Sequence, residues 1–119
     1  MQNSKQELKH RAYQFGLDVI RFADTISLSQ SSSILVNQLV RAATSIGANV
    51  IEAQAASSKR DFTNYFTIAL KSANETKFWL SLLKDSGKAS GKKIEKLVES
   101  IDEIANILGA SVLTLKGKR

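Results

Sequence analysis

Apolar residues recur along this chain in alternating steps of four and three. Leu8, Ala12, Phe15, Val19, Phe22 and Ile26 follow that spacing, which places them on one face of a helix and predicts a helix over about 5–26. Ile20 and Ala23 widen the face. The stretch from Thr25 to Ser33 breaks the pattern with a run of serines. Serine hydroxyls compete for nearby backbone groups and favour turns and helix caps, so one of Ser31, Ser32 and Ser33 is expected to cap the next helix.

The second helix is predicted over about 34–56, with Leu35, Leu39, Ala42 and Ile46 as its stripe. Small residues crowd it, including Ala42, Ala43, Ser45, Gly47, Ala48 and Ala53, and they allow a neighbouring helix to approach closely. Gly47 inside a helix costs about 1 kcal/mol relative to alanine, and close packing is its simplest explanation. Ser58, followed three residues later by Asp61, resembles a capping box with Asp in place of the usual Glu or Gln. It opens a third helix over about 59–86. This helix has two stripes, one of Phe62, Phe66, Ala69, Ala73, Leu80 and Leu83, and a second of Tyr65, Ile68, Trp79 and Leu82. A helix packed only within its own bundle needs one. After the turn Gly87–Gly91, a fourth helix over about 92–115 carries Ile94, Val98, Ile101, Ala105, Leu108, Val112 and Leu115 in a strict four-three heptad, flanked by Leu97, Ile104, Ile107 and Leu113.

Short connections favour antiparallel neighbours. The expected fold is therefore all-α, a single antiparallel up-down-up-down four-helix bundle over residues 1–119. There is no strand pattern, internal repeat or second domain.

Composition narrows the chemistry. The chain has 43% hydrophobic and 24% charged residues, the range of soluble globular chains. It has no cysteine, which excludes disulfides and thiolate metal sites. His10 is its one histidine, which excludes a multi-histidine metal cage. A Ser-His-Asp constellation would need His10, an isolated residue in a basic stretch that reads as surface. Neither a Walker loop nor a dinucleotide-binding glycine motif is present. The expectation is a protein with no catalytic residues, no metal and no cofactor. No apolar run approaches the ~20 residues that cross a bilayer, and Met1 to Lys9 lack the apolar core of a secretory signal. A cytoplasmic protein with no membrane partner is expected.

Polar residues interrupt the apolar pattern at informative places. Arg41 and Glu75 lie seventeen residues either side of Ser58, so a helical hairpin turning there puts them at one height. Glu75 falls on the second stripe of helix three, where a buried carboxylate is expensive unless a cation meets it. They are expected to pair and fix the register of the hairpin, a structural rather than catalytic role. Asn49, Glu52 and Tyr65 fall close together by the same count. They form a candidate polar cluster, read as hydrogen-bond satisfaction in a partly buried interface. Trp79 reads either as a base-stacking platform or, with Ile68 and Leu82, as filling of a core or subunit interface.

The net charge of +6 and pI near 9.7 hint at a polyanionic partner. In an up-down-up-down bundle, one end collects Lys5, Lys9, Arg11, Lys59, Arg60, Lys116, Lys118 and Arg119 against Glu7 and Asp61. The other collects Lys84, Lys88, Lys92, Lys93 and Lys96 against Asp85 and Glu95. Multiplied by a symmetric oligomer, such clusters make rings able to hold phosphate backbones with little sequence reading. The alternatives are solubilising lysines at helix ends and an acidic protein partner.

The stretch Gln38-Leu39-Val40-Arg41-Ala42-Ala43-Thr44-Ser45-Ile46-Gly47-Ala48-Asn49-Val50-Ile51-Glu52 resembles the helix-two signature of a four-helix bundle family. That family is named after proteins encoded in intervening sequences of bacterial 23S rRNA genes. Asp61-Phe62, Tyr65, Ile68-Ala69, Ser72 and Glu75 resemble its helix-three pattern, and the resemblance runs over about residues 10 to 115. Gly47 stands where the family often has proline, and Ala53 where glycine commonly follows the glutamate. The family is also similar to the accessory variability determinant proteins of diversity-generating retroelements. The resemblance implies a homopentamer, a barrel of five bundles around a channel. For the retroelement relatives it implies basic scaffolds that meet nucleic acid and a reverse transcriptase. Taken with the residues themselves, the leading expectation is a non-enzymatic, oligomeric, basic helical scaffold that binds RNA or DNA through its charged ends. A protein-protein adaptor and a ligand-binding or enzymatic bundle using Arg41, Glu52, Tyr65 and Glu75 are the rivals.

Overall fold

A computed structural model describes residues 4–117, with side chains from Glu7 onward. The side chain of Lys5, and Lys118 and Arg119 altogether, lie outside the described residues. Four helices follow one another: α1 (Ser4–Ala23), α2 (Gln30–Gln54), α3 (Lys59–Asp85) and α4 (Lys92–Leu115). Each packs on its chain neighbours, and α4 closes back on α1, with no diagonal packing among the described residues. This is the four-sided arrangement of an antiparallel four-helix bundle. Its extents of 44 × 28 × 24 Å match helices of about 30 to 40 Å standing side by side.

The core is built from the predicted stripes. Leu8, Ala12, Phe15, Val19, Phe22 and Ile26 are all buried, as are Ile94, Ile101, Ala105, Leu108 and Val112 of α4. On α2 the buried face is Val36, Leu39, Ala42, Ala43, Ile46, Val50 and Ala53, so Val36 takes the place expected for Leu35, which is half-buried beside it. The second stripe of α3 is divided, with Tyr65 and Trp79 packed half-buried against the core and the other two nearer the surface. Ile68 is 44% exposed and Leu82 37%, with Phe78 beyond them at 54%.

Helix boundaries are set by hydrogen bonds at the ends. α1 ends at Ala23 rather than Ile26, and the chain tightens through bonds from the Thr25 N–H to the Phe22 carbonyl and from the Ile26 N–H to the Ala23 carbonyl. That 3₁₀-like turn keeps Ile26 buried although it is no longer in the helix. α2 starts earlier than expected, and its cap is Ser29, not one of Ser31 to Ser33. Ser29 is extended (φ −131°, ψ −179°) and its side chain accepts from the Ser32 N–H. The Ser32 hydroxyl accepts in return from the Ser29 N–H at 2.6 Å. Serine thus stands at the position that Glu or Gln usually holds in a capping box. Ser32 is 1% exposed and satisfied further by donating to the Ser27 carbonyl. Ser58 caps α3 as expected, accepting from the Asp61 N–H at 3.1 Å.

α2 is long and apolar enough, by length and composition, to cross a membrane, although polar residues interrupt its apolar run. In the bundle its apolar face is spent on the core against α1 and α3.

Candidate nucleic-acid interface

The end of the bundle where α1 finishes and α4 begins carries two adjoining surface grooves. One, of about 340 Å³, is lined by Asp18, Arg21, Phe22, Lys93, Lys96 and Leu97. The next, of about 310 Å³, is bordered by Phe22, Ile26, Lys88, Lys92, Lys93 and the turn residues between them. Phe22 floors both, and Lys93 stands on the shared rim. Among the described residues, five cations (Arg21, Lys88, Lys92, Lys93 and Lys96) therefore surround one continuous depression against a single lining carboxylate, Asp18. Asp18 is already engaged, accepting from the Gln14 side-chain amide at 2.9 Å.

Local sequence explains this gathering. Gly87 (φ 77°) and Gly91 (φ 97°) supply left-handed conformations that only glycine adopts at no cost, and they fold the α3–α4 turn back over the bundle end. Lys88 is thereby placed beside the start of α4. Lys92, Lys93 and Lys96 share the exposed first turns of that helix. No side chain caps α4, since Gly91 has none to offer. Arg21 enters from the last turn of α1. It is the residue that sequence reasoning missed. In the antiparallel α1–α4 pair Arg11 meets Glu103, and ten residues further along each helix Arg21 lies across from Lys93.

At the other end the described cations border neither of these grooves. Arg11 is not a free cation. It donates to Glu7 at 3.2 Å and to Glu103 at 2.9 Å, and those bonds, Glu7 first, hold its guanidinium above its already high ordinary value. Lys9 lines a different, apolar groove between α1 and α2. Lys59 and Arg60 are exposed on the first turn of α3, and Lys116 is exposed after α4. Lys84 is exposed at the end of α3 and borders neither basic groove.

The polar residues of the α2–α3 hairpin divide into two outcomes. Arg41 and Glu75 are ion-paired, at the height the hairpin count requires. The pair is not buried, because 58% of the Arg41 side chain and 37% of Glu75 remain exposed. Arg41 also donates to Gln38 at 3.0 Å. Below it the Ser72 hydroxyl donates to Ser45 at 3.0 Å, a second link across the hairpin that the apolar periodicity does not reveal. The cluster of Asn49, Glu52 and Tyr65 is not assembled by hydrogen bonds among the described residues. Asn49 turns back along its own helix to the Ser45 carbonyl at 2.8 Å, and Glu52 is exposed. Trp79 packs edge-on to Phe78 with centroids 5.0 Å apart, half-buried against the core rather than standing free as a stacking platform. Its indole N–H is buried and finds no partner among the described residues.

None of these grooves, nor a fourth between α1 and α4, is lined by Arg41, Glu52, Tyr65 or Glu75. Among the described residues no group of His, Asp and Glu is placed to hold a metal ion.

Fold and surface together define a basic four-helix bundle in which nothing indicates catalysis. The chain belongs to the 23S rRNA-intervening sequence protein family, whose pattern it matches over residues 4–110. It is similar to a protein of unknown function from the S23 ribosomal protein family of Bacteroides thetaiotaomicron VPI-5482, solved at 1.70 Å, with 31% identity and a TM-score of 0.83. That likeness covers 91% of this chain and 96% of the other. Among curated proteins nothing matches the chain.

Proposed function

We propose that this protein is a non-enzymatic, oligomeric, basic helical scaffold of the cytoplasm that holds RNA or DNA by its phosphate backbone. The observation that carries the reading is the ring of Arg21, Lys88, Lys92, Lys93 and Lys96 around the double groove. Solubilising lysines are placed without cost at helix C-termini, where the helix dipole welcomes a cation. That account covers Arg21 and Lys84. It does not cover Lys92 and Lys93, which sit in the first turn of α4 and work against the dipole by about 0.3 to 1 kcal/mol each. A polyanion bound there reverses the sign of that cost.

The grooves present charge and aliphatic stems, with no array of Asn or Gln to read base edges, which favours backbone contact over sequence recognition. Family resemblance supports a homopentamer, in which the groove is repeated around a ring, and a reverse transcriptase as a protein partner. The test is binding of duplex DNA and structured RNA across a salt titration. Affinity is expected to fall linearly with salt on a log-log plot, with a slope close to the number of phosphates neutralised. The triple change Lys92→Glu, Lys93→Glu and Lys96→Glu is expected to flatten that slope by roughly one for each phosphate no longer neutralised. Absence of binding at low ionic strength overturns the proposal and leaves the protein-protein adaptor.

A further inference from the structure

The basic depression at the α1–α4 end of the bundle is amphipathic, and its two kinds of surface border the same space. Its floor is apolar. Phe22 lies under both grooves, with Leu97 beside it in one and Ile26 and Ala89 in the other. Its rim is cationic and comes from two banks, Arg21 on α1 and Lys93 and Lys96 on α4, with Lys88 and Lys92 at the turn end. Packed helices stand about 8–10 Å apart, so the charges on the two banks address one line between them rather than a broad face.

The cationic stretch has a boundary. Along α1 it stops at Asp18, and the next hollow on the same seam is lined by Asp18, Arg11 and Glu103. There Arg11 donates to Glu103 at 2.9 Å, so among the described residues lining that hollow no cation is left unpaired. From Asp18 to Ile26 is about 12 Å at the helical rise. One strand of B-DNA advances about 3.4 Å per nucleotide, so that length spans about three to four nucleotides. A duplex and an unpaired strand present different chemistry to such a site. A duplex carries about one charge per 1.7 Å of axis, but sets them on two ridges separated by a groove of about 6 or 12 Å, and its base faces are stacked inside. An unpaired strand carries its phosphates on one line and leaves base faces open to apolar contact. A charged rim around an apolar floor matches the unpaired strand.

We infer that the depression takes an unpaired segment of nucleic acid about three to four nucleotides long, its phosphates on the rim cations and its bases turned to the floor of Phe22 and Leu97. The inference rests on the backbone-binding reading above and names the form of nucleic acid that the site prefers. Duplex meets the same surface by charge alone and binds it more weakly.

The probes are a fluorescein-labelled oligouridylate and the same strand annealed to oligoadenylate, each titrated with the full chain at low salt and followed by anisotropy. A surface that answers to charge alone ranks the duplex first, because its charge density is the higher. The unpaired strand is instead expected to bind about five-fold tighter, the effect of covering roughly 40 Å² of apolar base surface. Lys93→Gln, on the rim shared by both grooves, is expected to lower that affinity several-fold, whereas Lys59→Gln, at the opposite end of the bundle, leaves it within error. Both side chains are exposed, so neither change disturbs the core. Duplex binding as tight as that of the single strand, or tighter, overturns the preference while the backbone-binding scaffold survives. Equal losses from Lys93→Gln and Lys59→Gln overturn the placement in this depression. Binding of neither probe ends both readings.

Discussion

Gly47→Ala measures what a glycine inside α2 costs the bundle. The added methyl would meet the Ala12 carbonyl carbon, oxygen and Cβ at 3.7 Å, which is normal van der Waals contact and demands no shift. The backbone there is helical, so alanine recovers about 0.8 to 1 kcal/mol of helix propensity, and the methyl adds a few tenths through partial burial. With an unfolding entropy of about 2.1 cal/mol/K per residue, a gain of about 1 kcal/mol raises the melting temperature by roughly 4 °C. The assay is thermal unfolding followed by circular dichroism at dilutions where sedimentation shows single chains, because assembly makes the transition concentration-dependent. A melting temperature that fails to rise in the dilute regime refutes the claim that the isolated bundle does not need glycine at this place.

Three further outcomes are expected. Ser29→Ala removes the N-cap of α2 and leaves the Ser32 N–H without its acceptor, costing about 0.5 to 2 kcal/mol in a urea titration, whereas Ser31→Ala, on an exposed face, leaves the midpoint within error. Glu75→Gln lowers stability by no more than about 1 kcal/mol, because the pair with Arg41 is largely open to solvent; a loss of several kcal/mol would mean that assembly buries it. Asp18→Asn deletes the carboxylate lining the basic groove and tightens duplex binding at low salt by a few-fold, an effect that salt above about 0.5 M abolishes.

The fold was legible because each helix writes its core face in steps of three and four, and α4, with its unbroken heptad, was placed at both ends. The α2–α3 register was legible for a different reason. A hairpin turn lets positions be counted outwards from Ser58, and that count delivered Arg41 to Glu75. No such count exists for α1 and α4, which are far apart along the chain, so the neutralisation of Arg11 by Glu103 and the arrival of Arg21 beside Lys93 could not be foreseen. Serine-rich segments hid a boundary. In Ser27–Ser33 several hydroxyls satisfy the local rule, and only the reciprocal bonds between Ser29 and Ser32 distinguish the cap. Asn49 lies one turn after Ser45 and bonds back to it, while Glu52 is exposed, and a count of height along the hairpin carries no information on such bonding.

The seam between α1 and α4 has a kinetic consequence. Every other helix–helix packing in the bundle joins helices that follow one another along the chain, and such packings form quickly because little loop entropy is lost. Closing α4 onto α1 joins the elements farthest apart in sequence and is expected to be the last packing to form. The basic depression spans that seam, with Arg21 on one bank and Lys93 and Lys96 on the other. A polyanion laid across it acts as a strap on the joint that closes last, so the bound protein should open, exchange its amide hydrogens and yield to protease more slowly there than anywhere else.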